Sequence, residues 1–93
     1  MNSLMPGKNT SAAEVTNVSA HGIWLLVNDK ESHQEELFLS YEDFPWFREA
    51  TINVIINVEE PLKGHYYWPA LDVDLSREII KHPERFPLRA QIG

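Results

Sequence analysis

The stretch Gly22-Ile23-Trp24-Leu25-Leu26-Val27 is the longest apolar run in the chain, and it decides the fold prediction. It is apolar at every position, which is typical of a strand covered on both faces or of a twisted central strand. The preceding residues, 14–19, are β-prone and half polar, as expected of an edge strand. After a loop of charged and turn-forming residues at 28–35, the strand pattern resumes at 36–40. These three segments predict an antiparallel three-stranded meander.

A short helix is predicted to follow the meander. In Ser40-Tyr41-Glu42-Asp43 a hydroxyl is followed three residues later by a carboxylate, an arrangement that caps the first turn of a helix. Because Pro45 is tolerated only within a first turn, the helical part is predicted to be short, near 44–50. Phe44 and Phe47 fall on one face of it and are expected to point into the meander.

Residues 51–58 are compatible with two structures. Their β-branched content favours a strand, whereas Thr51 as an N-cap favours one helical turn before a strand at 57–59. The sequence alone leaves this choice open. Further along, 60–64 is predicted to be a loop and 65–68 a short strand.

Ser76 is predicted to cap a final helix over 77–81, which ends at His82-Pro83. The elements together predict an α+β fold. Its small antiparallel sheet consists of the meander plus one or two short strands, and two or three short helices flank it. The expected organisation is a flexible N-terminal leader at 1–12, a single domain at 13–88 and a C-terminal tail at 89–93.

Two stretches carry a family resemblance. The first is Phe38-Leu39-Ser40-Tyr41-Glu42-Asp43-Phe44-Pro45-Trp46-Phe47, and the more specific one is Tyr67-Trp68-Pro69-Ala70-Leu71-Asp72-Val73-Asp74-Leu75-Ser76. They resemble the short bacterial proteins grouped as domain of unknown function 2442, whose signature reads Trp-Pro-x-Leu-Asp-x-Asp-Leu-Ser. The resemblance extends over about 13–87. Among the matching signature positions, those expected to serve the structure are Trp68, Pro69, Leu71, Asp72, Asp74 and Ser76.

The resemblance implies an α+β domain with a small antiparallel sheet and short helices, but no established activity. Some relatives carry a helix-turn-helix after this domain. Others look like one half of a two-gene pair, a context typical of a toxin and its antitoxin. This chain ends at Gly93, soon after Pro87, so we do not expect a helix-turn-helix here.

Composition and charge narrow the class of partner. Residues 1–76 carry twelve acidic and four basic side chains, whereas 77–93 carry two acidic and four basic ones. An acidic body suits a basic protein better than DNA or an anionic membrane, so specific DNA binding is not expected. There are no cysteines, which excludes disulfides and thiolate metal sites. With no signal peptide and no apolar run near the ~20 residues of a membrane-spanning helix, we expect a cytoplasmic protein.

Candidate catalytic and metal sites have little support in the sequence. In an extended chain, Asp72 and Asp74 would present two carboxylates on one side, yet calcium needs six or more oxygen ligands. We expect this pair to serve the turn and the helix start instead. His65 could act as a general base with Glu59 or Glu60, but no nucleophile or oxyanion group is identified. We therefore expect no enzyme activity, no metal and no cofactor.

The remaining candidates for function are aromatic residues beside carboxylates, because Tyr and Trp often anchor interfaces. The predicted function is a non-catalytic protein-binding module, antitoxin-like or regulatory, whose partner is a small basic protein encoded beside it. Homo-oligomerisation is also compatible with the sequence. The alternatives are a nucleic-acid-associated regulator that uses the basic segment 77–93, and a small enzyme. The candidate partner-binding residues are Tyr41, Glu42, Asp43, Trp46 and Tyr66, with Trp46 as the expected anchor.

Overall fold

The computed structural model describes residues 13–29, 31 and 33–86. The predicted leader at 1–12 and the predicted tail at 89–93 lie outside these residues. Within them, six strands form two separate three-stranded antiparallel sheets, and two short α-helices and two 3-10 turns complete the fold. The predicted α+β class is confirmed.

The first sheet is the predicted meander. Its strands are β1 (Glu14–Val18), β2 (Gly22–Asn28) and β3 (Gln34–Ser40), in the order β1-β2-β3. The apolar run forms the central strand β2, which pairs with β1 along one edge and with β3 along the other. A central position is what an all-apolar strand predicts. The β1–β2 turn is held by Ser19, whose hydroxyl oxygen accepts the N–H groups of His21 and Gly22.

The segment after β3 is tighter than predicted. Ser40 Oγ accepts the N–H of Asp43 and donates to its carboxylate, but only a 3-10 turn follows, at Pro45–Phe47. The predicted helix over 44–50 was therefore too long: the N–H groups of Arg48 and Ala50 donate to carbonyls three residues back, at Pro45 and Phe47, which is the 3-10 pattern. Phe44 and Phe47 are buried, as predicted.

Of the two structures compatible with residues 51–58, the chain adopts the capped helix. Helix α1 spans Ile52–Ile56, and Thr51 Oγ1 accepts the N–H of Val54 at 3.3 Å. The predicted loop at 60–64 was wrong, since strand β4 runs through it at Glu59–Leu62. Pro61 is tolerated there because β4 is an edge strand.

The second sheet is also a meander, β4-β5-β6, with β5 at His65–Trp68 as predicted and β6 at Val73–Ser76. Strand β6 was not predicted from the sequence. A turn reverses the chain before it, and Asp72 takes a left-handed conformation in that turn, with φ of 54°. Asp72 is thus not extended, and the geometry considered for the Asp72–Asp74 pair is not formed.

The final helix is confirmed. Helix α2 spans Arg77–Lys81, and Ser76 Oγ accepts the N–H of Ile79 at 3.1 Å. A 3-10 turn follows at Pro83–Arg85.

One apolar cluster receives side chains from both sheets, both α-helices and the Pro45–Phe47 turn. Trp68 is the largest of its fully buried side chains. Its indole N–H donates to the Ile55 carbonyl at 2.9 Å, and its ring packs edge-on against Phe47 with centroids 4.8 Å apart. One aromatic side chain therefore joins the second sheet to α1 and to the turn that leaves the first sheet.

Glu35 makes a second connection, between β3 and α2. Its carboxylate accepts from Lys81 Nζ at 2.7 Å and from the Nε and Nη2 groups of Arg77. These bonds, that from Lys81 above all, hold the pKa of Glu35 below its usual value of 4.5, because they favour the ionised carboxyl.

We predict that Glu35→Gln lowers the free energy of unfolding by about 1 kcal/mol at neutral pH, because a partly exposed ion pair is worth little more. Because the pKa of Glu35 is lower in the folded state than in the unfolded state, the ionised carboxylate stabilises the fold at pH values above the ordinary pKa. That contribution disappears as the pH falls through the lowered pKa of the folded state. The gap between wild type and variant should therefore narrow as the pH falls below 4.5, the ordinary pKa of a glutamate side chain.

Urea denaturation over a pH series measures this gap. The matched control is Glu36→Gln, whose exposed carboxylate accepts, from the residues that the structure describes, only one long hydrogen bond, of 3.4 Å from Thr16. Its effect should stay within about 0.5 kcal/mol. Equal losses for both variants would contradict the role assigned to Glu35.

Candidate binding surface

The outer face of the first sheet, which points away from the core, carries two exposed aromatic rings. Trp24 on β2 and Phe38 on β3 are direct cross-strand partners, with ring centroids 5.0 Å apart and planes tilted by 45°. Each is 37% exposed. Leu26 follows Trp24 on the same face and is half-buried. We call Trp24, Leu26 and Phe38 the aromatic patch.

Strand alternation places these side chains outside. Ile23, Leu25 and Val27 of β2 are fully buried, so the residues between them must face the opposite way. Phe38 lies between the buried Leu37 and Leu39 for the same reason.

Gly22 helps to position Phe38. A Cβ atom at Gly22 would lie 2.7 Å from Phe38 Cζ and 2.3 Å from the Leu39 carbonyl oxygen. The missing side chain lets the Phe38 ring lie over the strand backbone. The ring therefore covers a glycine that would otherwise leave a gap in the sheet surface.

The rim of the aromatic patch is acidic. Glu14 and Glu36 are the cross-strand neighbours of Leu26, one on each side. Asp43 lies three residues beyond the end of β3, and its carboxylate accepts a hydrogen bond from the Ser40 hydroxyl. The three strands contain no Lys or Arg. An apolar centre thus has carboxylates around it and no cation among the strand residues.

The structure corrects two predicted binding residues. Tyr41 is only 8% exposed, and its hydroxyl donates to the Ser19 carbonyl at 2.7 Å, which ties the end of β3 to the β1–β2 turn. Tyr66 is completely buried. The prediction that these two tyrosines are surface contacts was wrong, because both rings are buried in the core.

The other predicted residues remain accessible in part. Glu42 and Asp43 are exposed, and Asp43 adjoins the outer face through Ser40. Trp46 is half-buried, packs against the core and has its ring centroid 6.5 Å from that of Phe44. Its role as an anchor stays a prediction.

Sequence reasoning missed Trp24 and Phe38. The signal was available, since a strand with apolar residues at every position must present some of them on its outer face. Reading that signal requires the register that sets Trp24 opposite Phe38.

The signature residues have structural contacts. Trp68 is buried, Ser76 caps α2, and the N–H groups of Leu71 and Asp72 donate to the carbonyls of Trp68 and Pro69. The Asp72 carboxylate accepts from the Tyr67 hydroxyl at 3.0 Å, which raises the pKa of that phenol because the bond needs its proton.

Two further exposed apolar side chains lie on helix α1. Ile52 and Ile56 lie four residues apart on α1, are 56% and 51% exposed, and have no aromatic neighbour of the kind seen in the patch. Within the described ranges, no group of three or more His, Asp or Glu side chains is arranged to hold a metal ion. Neither α-helix described here is long and apolar enough to cross a membrane.

The fold and the surface define a small α+β domain of two antiparallel meanders, one of which exposes an aromatic patch with an acidic rim. The chain belongs to the family described as "Protein of unknown function (DUF2442)", whose sequence model it matches over residues 12–86. This confirms the resemblance seen in the sequence. No curated protein and no solved structure matches the chain.

The corrected position of Tyr66 leads to a prediction. Its hydroxyl is buried and has no hydrogen-bond partner among the described residues. Replacing Tyr66 with Phe removes an unsatisfied polar group, so we expect the free energy of unfolding to rise by about 1 kcal/mol. Tyr67→Phe is the control, and it should bring no such gain because it loses the bond to Asp72.

The buried Tyr66 hydroxyl also predicts a loss of stability at alkaline pH. Burial, reinforced by the nearby charge of Glu60, raises the pKa of Tyr66 from 10.0 to about 12. Because the phenol loses its proton more readily in the unfolded state, the free energy of unfolding should fall as the pH rises from 10 to about 12. Urea denaturation of Tyr66→Phe should show no such fall in the free energy of unfolding over this pH range. A variant less stable than wild type at neutral pH would instead show that the hydroxyl has a partner.

Proposed function

We propose that this protein is a non-catalytic binding module that docks another protein on the outer face of its first sheet. The Trp24–Phe38 pair carries the proposal. In the two-gene setting implied by the family resemblance, the partner is a small basic protein encoded beside this chain, and the domain acts as its antitoxin-like or regulatory counterpart in the cytoplasm.

The first argument is the apolar area that the sheet leaves in water. Two adjacent aromatic rings, each more than a third exposed, lie beside Leu26 on a regular sheet surface. Burying such rings is favourable at roughly 25 cal/mol per Å², and aromatic side chains dominate the energetics of interfaces. Their cross-strand packing also limits their rotamers before binding, which reduces the entropy lost on docking.

The second argument is charge complementarity. Glu14 and Glu36 border the patch, so a partner that brings Lys or Arg around an apolar side chain matches it in both respects. Two copies of this face would bring carboxylates together, since the strands offer no cation to either copy. Charge therefore favours a different, basic protein over a second copy of this chain.

The direct test is a double variant, Trp24→Thr with Phe38→Thr. Both side chains point away from the core, and threonine suits strands, so circular dichroism and urea denaturation should show a folded domain. The tagged wild-type chain first recovers the partner from the native host. Calorimetry with purified proteins should then show a binding loss of about 2 kcal/mol or more, roughly thirtyfold in Kd.

Tyr67→Thr supplies the matched control, because Tyr67 is a half-buried aromatic on the second sheet. It should bind the partner as wild type does. Normal binding by the double variant, or an equal loss from Tyr67→Thr, would refute the proposed surface.

Charge reversal tests the acidic rim separately. Glu14→Lys with Glu36→Lys should weaken the complex mainly through a slower association rate, and mainly at low salt, where exposed charges are least screened. Glu59→Lys on the exposed β4 edge is the control. Tighter binding by the charge-reversed variant would exclude a basic partner.

Trp46→Ala distinguishes the earlier anchor prediction from this one. If Trp46→Ala folds and loses the partner while Trp24→Thr with Phe38→Thr keeps it, the interface lies at the Pro45–Phe47 turn and the outer-face proposal fails. If Trp24→Thr with Phe38→Thr loses the partner while Trp46→Ala keeps it, the aromatic patch is the anchor.

A further inference from the structure

Strand β3 forms an edge of the first sheet that has no neighbouring strand in the described part of the chain. It pairs with β2 along its whole length, without a break in register, and the sheet ends there. An unpaired strand edge carries N–H and C=O groups that can bind another extended chain. The hydrogen bonds between β2 and β3 decide which residues of β3 carry these groups.

The free backbone groups belong to alternate residues of β3. One position beyond the Gly22–Ser40 pair, the Tyr41 N–H donates to the His21 carbonyl at 3.1 Å. In an antiparallel pair, positions hydrogen-bonded in this way alternate with positions whose backbone groups point away from the neighbouring strand. Counting back from Tyr41, the odd-numbered residues of β3 bind β2 and the even-numbered residues face the free edge. The edge-facing residues are Gln34, Glu36, Phe38 and Ser40.

The middle of this edge is open to a partner. Gln34, Glu36 and Phe38 are exposed. The Ser40 carbonyl, in contrast, accepts the Phe44 N–H at 2.9 Å as the chain turns after β3. Phe38 therefore belongs both to the aromatic patch, through its ring, and to the free edge, through its backbone.

The other edges of the two sheets are less suited to pairing. The register of β1 shifts between Val15 and Asn17, and such a bulge disrupts the row of edge groups. Strand β4 contains Pro61 and has a register shift of its own. Strand β6 is short and runs directly into helix α2. Strand β3 has no proline, no lysine and no bulge, which are devices that commonly protect an edge.

We propose that the basic partner binds by adding a β-strand to the free edge of β3. This inference rests on the proposed function, because it specifies how the partner reaches the aromatic patch. The backbone groups of Glu36 and Phe38 form the main-chain hydrogen bonds that hold the added strand. Two of its side chains, two residues apart, then lie opposite Glu36 and Phe38 on the outer face. We expect Lys or Arg at the first position and an apolar residue at the second.

Two other arrangements fit the edge less well. Pairing of two β3 strands would create one outer face that carries Glu14 and Glu36 of both copies and no Lys or Arg on its strands. A helix of the partner laid across the aromatic patch would leave the edge groups of β3 in water. Amide hydrogen exchange distinguishes both from an added strand.

The exchange experiment compares the wild-type chain alone with its complex with the partner that the tagged chain recovers. In the free chain, the amides of Leu37 and Leu39 should exchange slowly and those of Glu36 and Phe38 fast, because only the first two donate to β2. In the complex, exchange at Glu36 and Phe38 should slow by about tenfold or more, since both amides gain a hydrogen bond.

Two results would overturn the added strand. One is fast exchange of Glu36 and Phe38 in the complex, as a helix on the outer face would give. The other is slow exchange of the same two amides in the free chain, which would show that the edge is already paired. If that protection rises with protein concentration, a second copy of the chain is the occupant.

Glu36→Pro isolates the backbone contribution. It removes an N–H that faces away from β2, so the first sheet should stay folded by circular dichroism. Glu36→Thr is the matched control, because it loses the same carboxylate and keeps the N–H. The affinity for the partner should be about tenfold lower for Glu36→Pro than for Glu36→Thr, the worth of one strong hydrogen bond. Equal affinities would contradict the added strand, and if Glu36→Pro does not fold, the exchange result decides.

The added strand and the proposed docking face can fail separately. If Trp24→Thr with Phe38→Thr loses the partner while the wild-type Glu36 and Phe38 amides stay unprotected in the complex, the docking face is supported and the added strand is wrong. If the tagged chain recovers no basic partner, the proposed function fails, and this inference fails with it.

Discussion

The buried Trp68 side chain is the contact on which the rest of the structure depends. Its indole donates to the Ile55 carbonyl and packs against Phe47, so strand β5, helix α1 and the turn after β3 meet at one residue. A chain of 93 residues has little apolar surface to spare. With the inward-facing rings committed to this cluster, an aromatic pair left outside it is unusual, and that gives Trp24 and Phe38 their significance.

The same economy explains why the two tyrosines proposed as contacts became core residues. Tyr41 and Tyr66 have a large apolar ring with one polar group, which suits an interface and a core equally well. The Tyr41 hydroxyl donates to the Ser19 carbonyl, whereas the buried Tyr66 hydroxyl has no hydrogen-bond partner in the part of the chain that the structure describes. Composition cannot separate the two environments, because only the position of the ring relative to both sheets decides between them.

Local signals in the sequence predicted local structure well. The meander follows from alternation and a polar loop, and Thr51 and Ser76 are caps because each hydroxyl satisfies an N–H group three residues ahead. The second sheet was underestimated because its evidence is not local. Pro61 is typical of a loop until an edge strand accommodates it, and β6 depends on the left-handed Asp72. The aromatic patch likewise appears only once the register of β2 against β3 is known.

The central claim is that the outer face of the first sheet is where a basic protein docks. Site-specific photo-crosslinking in the native host tests it most directly, with the photoreactive residue placed at Trp24 in one strain and at Tyr67, on the second sheet, in another. The account predicts a covalent adduct from position 24 whose other half maps to a Lys- or Arg-rich segment of one protein, and none from position 67. An adduct from position 67 alone, or an acidic segment captured at position 24, would contradict it.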